Sequence, residues 1–251
     1  MSSSYSEAYR LLGRSGKEAG WFLAACLVSA GLYVLMCGFM GLEGVYAGFP
    51  PPKDSLAKSI LADLPGSIVT AWFAAGLAGR FTMDALTGAP EGMTRYAKGW
   101  FLRKLIVDTV VMGFIWGPLL FLIRMPSHSA LLTLAWMLPA CWLSLRISLW
   151  LNASVAENLD LFEAIKRSYA LTSAQALRIF MLAGAPFILT GILVKLLSKM
   201  LPGQTVLVYY LKSMLNGAAA VFIMGLFTAL YVELKAGDAA TERKETEETP
   251  A

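Results

Sequence analysis

Trp21–Leu42 reads WFLAACLVSAGLYVLMCGFMGL, a run of 22 residues without a single charge. At about 1.5 Å of rise per residue, roughly 20 apolar residues cross the hydrocarbon core of a bilayer as a helix. This run is long enough. Five more apolar stretches follow it: Leu64–Gly79, Leu105–Ile123, Ala130–Leu145, Ile179–Val194 and Ser213–Val232. Two of them are short, but they end at Arg80 and Arg146, whose apolar stems can lie in lipid while the charge reaches the headgroups. Hydrophobic residues fill 57% of the 251 positions and charged ones 15%, whereas about a quarter of a soluble domain is charged. The pattern predicts an all-α integral membrane protein, six transmembrane helices in one membrane domain over residues 1–235. Spans and loops use nearly all of that length, which leaves no room for a soluble catalytic domain.

Arg10, Arg14 and Lys17 precede the first span as the basic end of a secretory signal would. The apolar run is longer than a signal core and no small-x-small cleavage site precedes Pro50, so a retained signal anchor is expected. Basic residues also orient the bundle, because they accumulate on the cytoplasmic side. With the N-terminus inside, fifteen of the 21 lysines and arginines fall on cytoplasmic segments, and both termini are expected there. The net charge of +4 then belongs to the membrane surface, and no nucleic-acid partner is expected. Trp21, Trp100 and Trp150 fall at expected cytoplasmic ends and Tyr46, Tyr209 and Tyr210 at outer ends, where amphipathic rings anchor among headgroups. Cys26, Cys37 and Cys141 lie within spans and read as small hydrophobes, with no disulfide framework or ligand spacing.

The spans group into three hairpins, each preceded by a polar or amphipathic lead-in: Ser4–Lys17, Glu91–Lys104 and Asn158–Arg178. Tyr9-Arg10-Leu11-Leu12 loosely matches Tyr169-Ala170-Leu171-Thr172, so a threefold repeat stands beside chance likeness of apolar segments. The third lead-in is the best defined. Asp160 and Glu163 have the spacing of a helix start, where carboxylates accept from free backbone N–H groups. Leu161, Phe162, Ile165 and Tyr169 then recur at helical spacing, opposite Glu163, Lys166 and Arg167. Such a helix lies in the headgroup layer, or else packs on the cytoplasmic end of the bundle. Within the outer loop Glu43–Asp63, Pro50-Pro51-Pro52 predicts a stiff extended turn. The tail, residues 236–251, is polar and net acidic and is expected to be disordered.

Charge inside a span costs about 2.5–3.5 kcal/mol even on lenient insertion scales, so it is weighed first for function. Arg80, Asp84, Asp108 and Arg146 all fall within one or two turns of the expected cytoplasmic face, as a candidate intramembrane charge cluster. Asp84 follows Arg80 by four residues and Asp108 follows Lys104 by four, so pairs along one helix are available. Arg80 and Arg146 are further partners for Asp108. The cluster reads as a polar site near the cytoplasm, or as snorkelling side chains and ion pairs that orient the bundle. Nearer mid-membrane, Thr70, Thr109, Thr133, Thr190 and Asn216 are the main polar groups, of a kind that more often bonds neighbouring helices than lines a pore.

Ala71, Ala75 and Gly79, and the pair Gly113 and Gly117, make small faces that let helices approach closely. Pro118, Pro139 and Pro186 each break one backbone hydrogen bond within a span. His128 is the single histidine, with no second ligand or nucleophile around it, and there is no Gly-rich phosphate loop. No catalytic residue, metal or cofactor is expected, and an enzyme is not the expected class.

From Asn152 onward a series of residues stands out: Glu157-Asn158, then FEAIKRSYALT at 162–172, then the helix end TALYVELK at 228–235. The series resembles the membrane domain associated with some bacterial glycerophosphodiester phosphodiesterases and its stand-alone relatives. That family's pattern is an acidic-Asn pair, an Ala-x-x-x-Ser-aromatic-x-Leu-Thr lead-in, two helices and a Tyr-x-x-Leu-like close. Tyr169 stands where the family usually has Trp, and Ser173-Ala174 replaces a more polar turn. The likeness covers about a third of the chain. It implies a membrane module without the barrel domain that carries phosphodiesterase chemistry, so no catalytic residue follows from it.

The expected function is a non-enzymatic bacterial inner-membrane module that engages membrane lipids or another membrane protein. Phe162, Lys166, Arg167 and Tyr169 form its interfacial helix and meet anionic headgroups. A small-solute transporter or permease component, with Arg80, Asp108 and Arg146 lining its cytoplasmic half, is the alternative.

Overall fold

The computed structural model describes residues 2–42, 56–124, 130–173 and 175–248. Among these the chain is an all-helical bundle: α1 (Ser2–Arg14), α2 (Gly16–Phe39), α3 (Leu56–Thr87), α4 (Met93–Arg124), α5 (Ala130–Arg146), α6 (Trp150–Glu157), α7 (Leu161–Leu171), α8 (Ala176–Met200) and α9 (Thr205–Glu248). Four helices, within Gly16–Phe39, Lys58–Thr87, Ala176–Met200 and Thr205–Ala240, are long and apolar enough to cross a membrane. The expected stretches Leu105–Ile123 and Ala130–Leu145 lie in α4 and α5. Large apolar side chains stand open on the outer faces, among them Phe39, Leu131, Ile188, Leu189 and Met200. Lipid covers such a surface without the penalty that water would exact.

Small residues on α3 set how closely its neighbours approach. Ala71, Ala74, Ala75 and Ala78 are buried. A Cβ on Gly66 would collide with the Ser29 hydroxyl of α2, and one on Gly79 would lie 2.6 Å from Tyr96 Cβ of α4. The Ala71–Ala75–Gly79 face is therefore used within the chain. Gly113 is different: a Cβ there meets nothing within 4 Å. Helix α9 closes the other side, with Gly217 against Cys26 and Leu23 of α2 and Gly225 against Ala8 of α1. Tyr5 and Tyr9 of α1 pack on Phe222 at ring distances of 5.9 and 5.4 Å, and Leu11 joins Phe22, Leu77, Phe81 and Val221 in a common core.

One buried polar contact joins three helices. The amide nitrogen of Asn152 in α6 donates to the hydroxyls of Thr82 in α3 and Thr228 in α9, both at 2.9 Å. Thr82 passes its own proton to the Ala78 carbonyl at 2.8 Å. All three residues are buried, so each hydrogen bond replaces one that water cannot make there.

Several expectations are corrected. The lead-in Glu91–Lys104 is no separate interfacial helix, because α4 runs without a break from Met93 and its first turns pack on α3 through Tyr96 and Ala97. An unexpected short helix, α6, intervenes between α5 and α7 and ends at Asn158, which turns the chain at a left-handed φ of 51°. Trp150 opens α6 and is buried against Ala78, Val107 and Leu151, so it is a core residue and no headgroup anchor. The outer loop ends before Asp63, since α3 already starts at Leu56. Beyond Ala236 the chain stays helical to Glu248 where disorder is expected; Asp238 is held by Arg167, and Ala, Glu, Lys and Arg favour helix. Tyr46, Pro50–Pro52 and His128 lie outside the described residues.

Two substitutions test this packing by thermal unfolding in detergent. Gly66→Ala should cost about 1–3 kcal/mol by overpacking, while Gly113→Ala should be neutral or stabilise by up to about 1 kcal/mol. Asn152→Ala takes the donor away from two buried hydroxyl oxygens and should cost about 1–3 kcal/mol; Asn216→Ala, at an exposed site, should stay within about 0.5 kcal/mol.

Candidate functional site

Helix α7 organises the end of the bundle where α5, α6 and α9 meet. Its N-cap is the expected one: the Asp160 carboxylate accepts from the Glu163 N–H at 2.9 Å. One face turns inward, with Ala164, Ser168 and Leu171 buried and Leu161 and Ile165 packed beside Trp150 and Leu151. Ser168 donates to the Arg146 carbonyl at 2.9 Å, and the Thr172 hydroxyl, four residues on, is shared between that carbonyl at 3.0 Å and the Ser168 carbonyl at 2.8 Å. The Leu149 N–H donates to Ser168 Oγ at 3.1 Å. A helix end leaves carbonyls without a partner, and here two hydroxyls from α7 take up the last one of α5. The turn from α5 into α6 is thereby clamped.

The other face looks outward. Phe162 is 76% exposed, and Lys166 and Tyr169 are exposed too. Tyr169 meets Trp142 of α5 edge-on at 5.7 Å. Arg167, expected beside Lys166 on one basic edge, turns inward instead. Its guanidinium lies 2.7 Å from Asp238 of α9 and 3.3 Å from Glu157 of α6, because α7 crosses the junction where those two helices meet. Glu157 also accepts from the Tyr231 hydroxyl at 2.6 Å and faces Lys235 at 3.4 Å. Partial burial pushes the Glu157 carboxyl up, but Tyr231, Arg167 and Lys235 outweigh it and hold the group below the usual carboxylate range.

The four charges of the expected cluster have separate fates. Among the described residues no ion pair or hydrogen bond joins any two of them. Arg80 pairs with Glu18 of α2 at 3.2 Å and donates to Ser15. Asp84 is 3% exposed; one oxygen lies 3.5 Å from Arg14 of α1 and the other has no partner. Asp108 takes the local option, Lys104 at 2.6 Å. The expected pair Arg80–Asp84 does not form, because acids and bases on neighbouring helices come closer than the next turn of α3. Arg178 belongs to the same frame: its fork spans both oxygens of Glu233 at 2.7 Å, and Ser4 of α1 bonds to the pair.

Arg146 stands apart. It is 6% exposed and is the only basic residue buried to that degree among the described residues. Its guanidinium lies 3.8 Å from the centre of the Tyr169 ring and 5.4 Å from that of Trp142. Among the described residues no carboxylate or carbonyl meets it, and its Nε has no hydrogen-bond partner. Ring faces stabilise a desolvated cation by about 2 kcal/mol, against a desolvation penalty of several kcal/mol for an unpaired ion. The balance is unfavourable without an anion.

Sequence reasoning missed the residues that position this site: Asn152, Ser168, Thr172 and Tyr231 as hydrogen-bonding groups, and Glu18, Glu157, Glu233 and Asp238 as acid partners. Glu157, Ser168, Thr172 and Tyr231 stood out only as letters of the family-like series, and the four-residue spacing of Ser168 and Thr172 was a physical signal, since it puts both hydroxyls on one helix face. Among the described residues no group of His, Cys, Asp or Glu could hold a metal ion.

The depressed Glu157 value fixes a pH dependence. A carboxylate whose folded pKa lies below its unfolded one stabilises the fold above the unfolded value, about 4.3, and loses that contribution as pH falls through the folded value. Glu157→Gln should therefore lower the unfolding midpoint at neutral pH, with the gap to wild type closing in acid. A gap that is independent of pH would show that the charge of Glu157 plays no part.

Comparison with family models, with curated proteins and with solved structures finds no match to this chain, so its own geometry is what speaks for its function.

Proposed function

We propose that this chain is a non-enzymatic, multi-pass module of a bacterial inner membrane, with α2, α3, α4, α5, α8 and α9 as its six spans and both termini in the cytoplasm. In this reading it belongs with the stand-alone relatives of the phosphodiesterase-associated membrane domain, and its task is to engage lipid headgroups at the cytoplasmic surface. The observation that carries the reading is the division of labour on α7. Among the described residues its hydrogen bonds and ion pairs to the other helices lie on one side, through Ser168, Arg167 and Thr172 at its end. The opposite side presents Phe162, the partly exposed Tyr169 beside Trp142 and Arg146, and Lys166, which has no ion-pair partner among the described residues.

A helix with aromatic and basic groups on its free face settles at the level of the headgroups. Aromatic rings there have one apolar and one wet edge, and each lysine near an anionic surface contributes about 1 kcal/mol. The charges of Arg80, Asp84 and Asp108 serve the frame in this reading, since each has a partner of its own.

Native mass spectrometry of gently purified protein tests the proposal through the anionic lipid that it retains. Lys166→Gln should weaken retention about fivefold, the equivalent of about 1 kcal/mol. Arg167→Gln should act mainly through stability, because its charge is already neutralised by Asp238 and Glu157. Retention unchanged in both Lys166→Gln and Phe162→Ser would overturn the assignment of α7.

A further inference from the structure

We infer that the guanidinium of Arg146 is the recognition group of a phosphate-binding site, walled by Trp142 and Tyr169, at the end of α5. The phosphate is that of a phospholipid headgroup or a free phosphate, and the chemistry that recognises it is the same. The inference rests on the reading of α5 as a span and of α7 as a headgroup-level helix.

Contrast with the other arginines of this end is the first ground. Arg80 has Glu18, Arg178 has Glu233, Arg167 has both Glu157 and Asp238, and Arg103 donates to the Leu159 carbonyl at 3.0 Å. Each of these is less buried than Arg146, yet each has an oxygen partner. Among the described residues, these embedded arginines each meet an oxygen, a carboxylate in three cases and a carbonyl for Arg103, and Arg146 meets none. A guanidinium left buried, with an Nε that bonds to nothing, matches a site whose anion comes from outside.

Preorganisation is the second ground. The Arg146 backbone is fixed by the Ser168 and Thr172 hydroxyls on its carbonyl, and the plane of its side chain is fixed by the Tyr169 ring at 3.8 Å. A guanidinium held in one orientation offers a rigid fork of donors that fits two oxygens of a phosphate. Trp142 and Tyr169 both keep part of their rings exposed, so the site opens where α5 and α7 meet the surface. Lys166 precedes Tyr169 by one turn of α7, is exposed, and has no acid partner among the described residues. It adds positive potential that draws an anion toward Arg146.

Depth is the third ground. Arg146 follows the charge-free run Ala130–Leu145 directly, which puts it at the limit of the hydrocarbon layer, where the phosphates of a bilayer begin. Asp84 is the other embedded charge with an unbonded atom, but Arg14 already faces it at 3.5 Å. Of the two buried charges among the described residues, Arg146 is the one without a counter-ion.

The test uses the full chain purified in a neutral detergent and titrated separately with phosphatidylglycerol, inorganic phosphate and uncharged diacylglycerol. Retained lipid is read by native mass spectrometry, and phosphate binding by the emission of Trp142, isolated as the difference from Trp142→Phe. Arg146→Gln should weaken phosphatidylglycerol binding at least about tenfold, the loss of one charge-assisted hydrogen-bonded contact. Arg146→Lys, which keeps the charge without the fork, should fall between. Without ligand, Arg146→Gln should unfold no earlier than wild type, because it removes an uncompensated charge; a purely structural arginine would show the reverse. Diacylglycerol should bind no differently to any variant.

Phosphatidylglycerol binding alone would assign the site to a headgroup, and a response to inorganic phosphate as well would assign it to the phosphate group itself. Phosphate binding at Arg146 with no lipid retained would uphold the site and overturn the membrane-module reading. Lipid retained through Lys166, with Arg146→Gln binding like wild type and Trp142 silent to phosphate, would overturn the site and leave that reading standing.

Discussion

The amide of Asn152 holds together what apolar packing alone would leave loose. Inside a bilayer a leucine gains little by leaving lipid for a neighbouring helix, so helix order is decided by close approach and by polar groups that must find partners. Asn152 sits on a helix too short to span anything, and it bonds to Thr82 on one side and Thr228 on the other. Three elements far apart in sequence are thereby fixed at one point. With α6 pinned, the turn before it and the helix after it have nowhere else to go, and this end of the bundle takes its shape from that.

Around this point the protein separates its charges by function. Arg80, Arg167 and Arg178 each tie one helix to another through a carboxylate, as Arg14 does more loosely with Asp84. These links orient the spans and give the first, third and last helices a common end. Helix α7 lies over the frame. Its Ser168 and Thr172 close the α5 terminus, and its Arg167 locks onto α9. The same contacts that fasten α7 determine which of its side chains remain free, so the character of its outer face is a by-product of how its inner face is held.

The four long apolar helices were legible in the sequence because hydropathy over some twenty residues is a strong signal. The start of α7 was legible for a similar reason: an Asp three residues before a Glu satisfies a requirement local to one helix end. What escaped was everything decided between elements. Nothing local in α3 says that Arg80 will meet Glu18 and ignore Asp84. Trp150 reads as an interfacial anchor because an apolar run ends near it, whereas the chain turns back there and buries it beneath α7. The eight residues of α6 carry too few turns for any periodicity to show. Arg146 was visible as a charge near a membrane boundary, but its lack of a partner is a fact about every other residue around it.

Helix α9 has a mechanical consequence. Its 44 residues contain no proline, and at 1.5 Å per residue they make a rod of about 66 Å, roughly twice the thickness of the hydrocarbon layer. A helix of that length outruns the hydrocarbon layer of any bilayer that it crosses. Toward its C-terminal end the clasp between Arg167 and Asp238 couples it to α7. A tilt or shift of α7 is geared directly to the far end of the rod, where a small angular change becomes a displacement of many ångströms.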